Sequence, residues 1–279
     1  VMRILSAGEP LPLSEIGFSE KNYKNFLDVV TKPYGIVFVC GPTGSGKTTT
    51  LHSALSYINK TETKIWTAED PVEISQAGLR QVQVKPKIGF DFAAAMRAFL
   101  RADPDVIMVG EMRDKETTRM GIEASLTGHL VFSTLHTNSA PESITRLLDM
   151  GMDPFNFSDA ILCILAQRLV RTLCSNCKRK YNPSRCEFDE LVREYGGQEV
   201  FEKNTGIVFS DEIDLCKPVG CDICNNTGYR GRMGIHELLL GTQEIKRLIQ
   251  SSARMEEIRA QAIDDGMTTL KQDGIEKIF

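Results

Sequence analysis

Short apolar runs alternate with amphipathic stretches along the first half of the chain. Ile36-Val37-Phe38-Val39-Cys40 is unbroken and apolar, the pattern of a strand buried on both faces of a parallel sheet. The stretch that follows puts Leu51, Ala54, Leu55 and Ile58 on one helical face. The same logic predicts strands over 64–68, 105–109 and 130–134, and helices over 92–102, 115–126 and 141–150. Strands alternating with helices mean an α/β domain with a mostly parallel sheet. Ahead of it, residues 1–30 read as a strand, a Pro-bearing linker (Glu9-Pro10-Leu11-Pro12) and a helix from Ser19, whose hydroxyl can cap the first turn. From Ile161 an amphipathic helix is expected to lead to Cys174. A cysteine- and turn-rich module then runs to about Arg232, and helical, charged segments close the chain from Gln243 to Phe279.

These patterns divide the chain into four parts: residues 1–18 as the end of an upstream domain with its linker, 19–172 as the α/β core, 173–232 as a cysteine module and 233–279 as a C-terminal helical region. The opening Val1-Met2-Arg3-Ile4-Leu5 reads as a strand entered midway, so the chain is expected to continue upstream.

Composition narrows the function. With 279 residues, 42% hydrophobic and 25% charged, the chain can bury one large core and a satellite. A net charge of -4 offers no basic excess of the kind that neutralises a phosphate backbone, which disfavours a direct nucleic-acid partner. No apolar run approaches the ~20 residues that span a bilayer, and no charged n-region precedes an apolar one. A soluble, cytoplasmic protein is expected.

The segment Gly41, Pro42, Thr43, Gly44, Ser45, Gly46, Lys47, Thr48 fits G-x-x-x-x-G-K-[ST] between a predicted strand and a predicted helix. In such a loop glycines let successive N–H groups face phosphate oxygens, with the positive end of the helix dipole behind them. Lys47 is expected at the β- and γ-phosphates and the Thr48 hydroxyl on Mg²⁺, with Thr49 completing an ATP/ADP-binding set that spans 41–49.

Such a site needs a carboxylate at the end of a neighbouring strand. Glu111 ends the run Asp105-Val106-Ile107-Met108-Val109-Gly110, and Glu69, Asp70 and Glu73 lie just past another strand. Glu111 and Glu69 are the favoured candidates; Asp70 and Glu73 read equally well as solvated loop acids. His136 follows a predicted core strand on the ligand edge of the sheet, where it can donate to a γ-phosphate oxygen. His129 precedes that strand and reads as a surface residue.

Cys174-Ser175-Asn176-Cys177 and Cys221-Asp222-Ile223-Cys224 form two C-x-x-C knuckles. Four thiolates make a closed tetrahedral Zn²⁺ site with no open position for water, hence a structural one. A redox pair or free thiols is the competing reading, and Cys186 and Cys216 stand outside the knuckles.

Taken together, GPTGSGKTTT, TAEDPVE, DPDVIMVGEMRD and TGHLVFSTLHTN resemble the Walker A, aspartate box, Walker B and histidine box of the ATPases of type IV pilus assembly and type II secretion, a likeness covering nearly all of the chain. The resemblance implies a RecA-like P-loop NTPase core, a homohexamer, and ATP hydrolysis that moves a platform protein of the inner membrane, with the motor peripheral to that membrane. It implies Glu111 as the catalytic glutamate, Glu69 as an organiser of magnesium or water, and Arg3 as an arginine that reaches a neighbour's phosphates in trans. It associates tetracysteine zinc motifs with extension and secretion motors, which disfavours retraction. Pilus extension is preferred, type II secretion is the alternative, and a zinc-ribbon nucleic-acid translocase is the reading of another class.

Overall fold

The computed structural model describes residues 9–279; the strand expected at 1–5 and the Arg3 assignment lie outside the described residues. Helix α1 (Glu20–Val30) starts at Ser19, whose hydroxyl accepts from the Asn22 N–H. There follow β1 (Gly35–Cys40), α2 (Lys47–Ile58), β2 (Ile65–Glu69), β3 (Arg80–Gln83), α3 (Phe92–Phe99), β4 (Val106–Val109), α4 (Lys115–Leu126), β5 (Leu130–Leu135), α5 (Ala140–Asp149) and α6 (Pro154–Ala160). Beyond these come β6 (Ile161–Leu173), β7 (Arg179–Tyr181), α7 (Arg185–Tyr195), α8 (Gln198–Thr205), β8 (Leu215–Lys217), β9 (Tyr229–Leu240), α9 (Gln243–Gln250), α10 (Met255–Asp264) and α11 (Leu270–Glu276).

Among the described residues the main sheet has the order β3-β2-β4-β5-β1-β6-β9. Every pairing is parallel except that of β6 with β9. All of β1 is buried because it is central and its side chains alternate between two cores. Ile36, Phe38 and Cys40 join Met96, Ile122, Ile144, Phe157, Ile245 and Ile258 on one face. On the other, Val37 and Val39 meet Phe26, Leu51 and Leu55 from α1 and α2. Helices on both faces of a mostly parallel sheet give the expected α/β class.

One expectation fails. Residues 161–173 form strand β6, not an amphipathic helix. An apolar run such as Ile161-Leu162-Cys163-Ile164-Leu165-Ala166 has no period that separates a buried strand from a buried helix. Tertiary pairing decides: β1 needs a neighbour on each edge, β5 fills one, and β6 fills the other with Val37 opposite Cys163 and Cys40 opposite Ala166. Past Gln167, β6 leaves the core and continues as a ribbon with β9. Strand β9 runs across residue 232 and carries the chain from the second cysteine knuckle back into the main sheet.

Between the knuckles, β7 and β8 pair antiparallel, and Phe188, Val192, Tyr195 and Phe201 make a small core that includes Ile275 of α11. The Tyr195 hydroxyl donates to Glu276 at 2.6 Å. This satellite therefore packs against the end of the chain as well as against its own helices.

Candidate nucleotide site and cysteine cluster

The loop from Gly41 to Gly46 joins β1 to α2 at the carboxyl edge of the parallel sheet, where ligands of open α/β sheets bind. Gly46 sits immediately before α2 at φ 87° and Gly41 at φ 150°. A Cβ on Gly41 would lie 2.4 Å from the Gln167 carbonyl, and one on Gly46 would lie 2.8 Å from Gln167 Nε2. Both positions therefore need glycine for space as well as for backbone conformation.

Gln167, buried on β6, is the support beneath this loop. Its Nε2 donates to the Ser45 carbonyl at 2.7 Å and its Oε1 accepts from the Thr50 hydroxyl at 2.7 Å. One amide thus ties the loop to the first turn of α2. Sequence reasoning did not single it out, although a lone amide ending an apolar strand run is a usable signal.

Lys47 opens α2 and donates from Nζ to the carbonyls of Gly41 at 2.7 Å and Pro42 at 3.1 Å. Burial pushes its ammonium below the usual lysine range, and the charge of Glu111 opposes that shift. Thr48 and Thr49 follow in the first turn of the helix.

Glu111 stands just past β4 and His136 just past β5. The two strand ends are fastened together: Ser133 Oγ donates to the Val109 carbonyl at 2.8 Å, Thr134 Oγ1 to the Gly110 carbonyl at 2.7 Å, and the Met112 N–H to the Thr134 carbonyl at 3.2 Å. This brings His136 Nε2 to 2.9 Å from Glu111 Oε1. Arg113 Nε donates to the same oxygen, a contact the sequence pattern did not single out. Two donors thus converge on one oxygen of Glu111 and fix its carboxylate between the ends of β4 and β5.

Glu69 is placed differently. It is buried, with Oε1 accepting from Thr67 Oγ1 at 2.6 Å and Gln81 Nε2 at 3.0 Å and Oε2 3.0 Å from His52 Nε2. Burial raises its carboxyl, but the donors from His52, Thr67 and Gln81 outweigh that and hold it below the ordinary range. Its three partners thus hold the carboxylate from both oxygens and leave the second lone pair of Oε2 as its remaining acceptor site. Asp70 is exposed, and His129 Nδ1 lies 2.9 Å from the Ala124 carbonyl at the end of α4, a helix-terminal contact.

The four knuckle cysteines meet at the tip of the β6–β9 ribbon. All four sulfurs lie within 4.8 Å of one another, with Cys174–Cys221 at 4.0 Å, Cys177–Cys224 at 3.8 Å and Cys221–Cys224 at 3.7 Å. None is in a disulfide. A zinc ion with Zn–S bonds of about 2.3 Å needs sulfur–sulfur edges of about 3.8 Å, so the donor set fits the metal in element, number and spacing. Backbone N–H groups of Gly220, Cys221 and Gly228 donate to these sulfurs, which favours thiolates. Cys186 and Cys216 are not part of the cluster.

The sequence model of the family described as Type II/IV secretion system protein matches residues 1–279. The chain belongs to this family. It is 45% identical over 283 residues to the type IV pilus assembly ATPase PilB of Myxococcus xanthus, covering 100% of this chain and 48% of that one. To the type II secretion system ATPase E of Vibrio cholerae it is 44% identical, covering 100% of this chain and 52% of that one. The chain thus spans about half the length of these curated relatives. A crystal structure of the pilus retraction motor PilT with bound ADP matches at TM-score 0.63 and 28% identity, over 98% of this chain and 68% of that one. The ATPase DotB of Legionella pneumophila matches at TM-score 0.67 over 99% of this chain and 63% of that one; at 24% identity this likeness speaks to the fold.

Proposed function

We propose that the chain binds ATP and ADP with Mg²⁺ and hydrolyses ATP as the core of a motor for pilus assembly or secretion. The observation that carries this reading is the convergence, at one sheet edge, of the Gly41–Thr48 loop with the Glu111–His136 pair at 2.9 Å. Lys47 and the loop N–H groups compensate phosphate charge, Thr48 holds Mg²⁺, Glu111 polarises the attacking water, and His136 orients Glu111 and senses the γ-phosphate. The relatives named as ATPases support the activity.

Within that reading the chain works as a homohexamer that powers type IV pilus extension, engaging a platform protein at the cytoplasmic side of the inner membrane. Among the described residues no helix is long and apolar enough to cross a membrane. Type II secretion is the second reading, supported by relatives at 44% identity against 45% for the pilus ATPases. In both, Cys174, Cys177, Cys221 and Cys224 hold one structural Zn²⁺. Family membership leaves a nucleic-acid translocase without support.

Two substitutions test the chemistry. Lys47→Ala should abolish nucleotide binding, whereas Glu111→Gln should keep binding and slow turnover by about 10²- to 10⁴-fold, as read by calorimetric titration and phosphate release. Near-normal turnover in Glu111→Gln would remove the glutamate from its role. Deleting the gene in its source organism and scoring surface pili against secreted proteins separates the two cellular readings.

A further inference from the structure

His52 is fully buried on α2. It lies one turn beyond Thr48 on the same helical face, since residues four apart stack. Gln76 Nε2 contacts His52 Nδ1 at 2.9 Å and also donates to the His52 carbonyl at 2.9 Å. The carbonyl can only accept, so the contacting Gln76 atom is the amide nitrogen. Nδ1 is then an acceptor, and the ring proton sits on Nε2, where it faces Glu69 Oε2 at 3.0 Å. Gln81 bonds both Glu69 Oε1 and, at 2.8 Å, the Ile74 carbonyl. The helix that presents the phosphate loop is thereby keyed to β2 and to the 74–81 segment by one buried, oriented chain of polar groups.

We propose that His52 is a positioning residue for the nucleotide site: by bonding Glu69 it fixes the rotation of α2 that aims Lys47 and the Thr48 hydroxyl, and Glu69 serves the site by holding that helix rather than as a metal ligand. The inference rests on the nucleotide-binding reading above. A buried, oriented network of this kind sets geometry because its bonds from His52 to Glu69 and Gln76 and from Gln81 to Glu69 can all form in only one arrangement, even with Gln76 Oε1 left unpartnered. Rotating α2 would strand Glu69, His52 and Gln76 at once.

A metal ligand and a helix-positioning pair differ in what they do without the metal. ADP affinity is therefore measured with a fluorescent ADP analogue in magnesium-free buffer without chelator, so that the cysteine cluster keeps its metal, for the wild-type chain, His52→Leu, Glu69→Gln, the double variant and His52→Gln, with melting followed by circular dichroism. Expected are losses of magnesium-free affinity of about 3- to 30-fold in each single variant, no greater loss in the double than in the weaker binder of the two, and recovery to within about twofold in His52→Gln, whose amide can still donate to Glu69. Unchanged magnesium-free affinity in folded His52→Leu and Glu69→Gln, or additive losses in the double, overturns the proposal. Should His52→Leu not fold, Glu69→Gln carries the same test: its magnesium-free affinity falls if Glu69 holds the helix and stays at the wild-type value if it serves only the magnesium. Absence of binding by the wild-type chain would sink the nucleotide reading itself, and this inference with it.

Discussion

His236 shows at single-residue scale how packing sets a titration. It is buried at the base of β9, with its ring 4.3 Å from that of Phe18. Burial, aided by the nearby Lys277 charge, lowers its pKa to about 3. An unfolded chain takes up this proton below its ordinary value of 6.5, while the folded chain resists until about 3. Stability attributable to His236 is thus present above pH 6.5 and is lost as the pH falls through that window, by about 2 kcal/mol at pH 5. His236→Phe, which cannot take the proton, should flatten the acid limb of stability between pH 7 and 5. Urea unfolding at both pH values checks it, and equal slopes in both proteins would show that other groups set the limb. Lys47, by contrast, is marked by a motif; its carbonyl partners Gly41 and Pro42 are not, because they follow from the curl of the loop.

At the scale of elements, the bearing of the phosphate loop on β6 is the arrangement with the clearest consequence. Gln167 satisfies the Ser45 carbonyl and the Thr50 hydroxyl together, and each group orphaned in the interior costs about 1–3 kcal/mol. Gln167→Ala should leave the sheet intact, speed hydrogen exchange across residues 41–50 and weaken ADP binding about tenfold. Exchange mass spectrometry reads the first effect directly; protection equal to wild type would mean that the loop stands without this support. The element itself was misjudged from sequence for a definable reason. An apolar run with no period is silent on helix or strand, and the vacant edge of β1 that makes it a strand lies more than a hundred residues upstream.

Across the whole molecule, the cysteine cluster closes a module with only a small apolar core around Phe188, Tyr195 and Phe201. A four-thiolate zinc site contributes its binding free energy to folding such a module and exposes no Lewis-acid position. Elemental analysis of protein purified without added metal should find one zinc per chain. Cys221→Ser or chelation should expose residues between Cys174 and Arg232 to protease while ADP still binds at the distant loop. Zinc-free protein with an intact module, or disulfides between the knuckles, would overturn the assignment.

The division between sequence and tertiary structure follows from the range of the forces. The alternation of strands and helices, the phosphate loop and the two knuckles were legible in the sequence because each is a local pattern: periodicity, glycine spacing, paired ligands. The His136–Glu111 contact, the burial of Glu69 against His52 and Gln81, the seat of the loop on Gln167 and the strand character of residues 161–173 were decided by tertiary structure. In each case the partners are distant along the chain or meet in a geometry that parallel strand register alone creates, and no local pattern encodes which edge of β1 stays free or which side chain fills the space beneath a glycine.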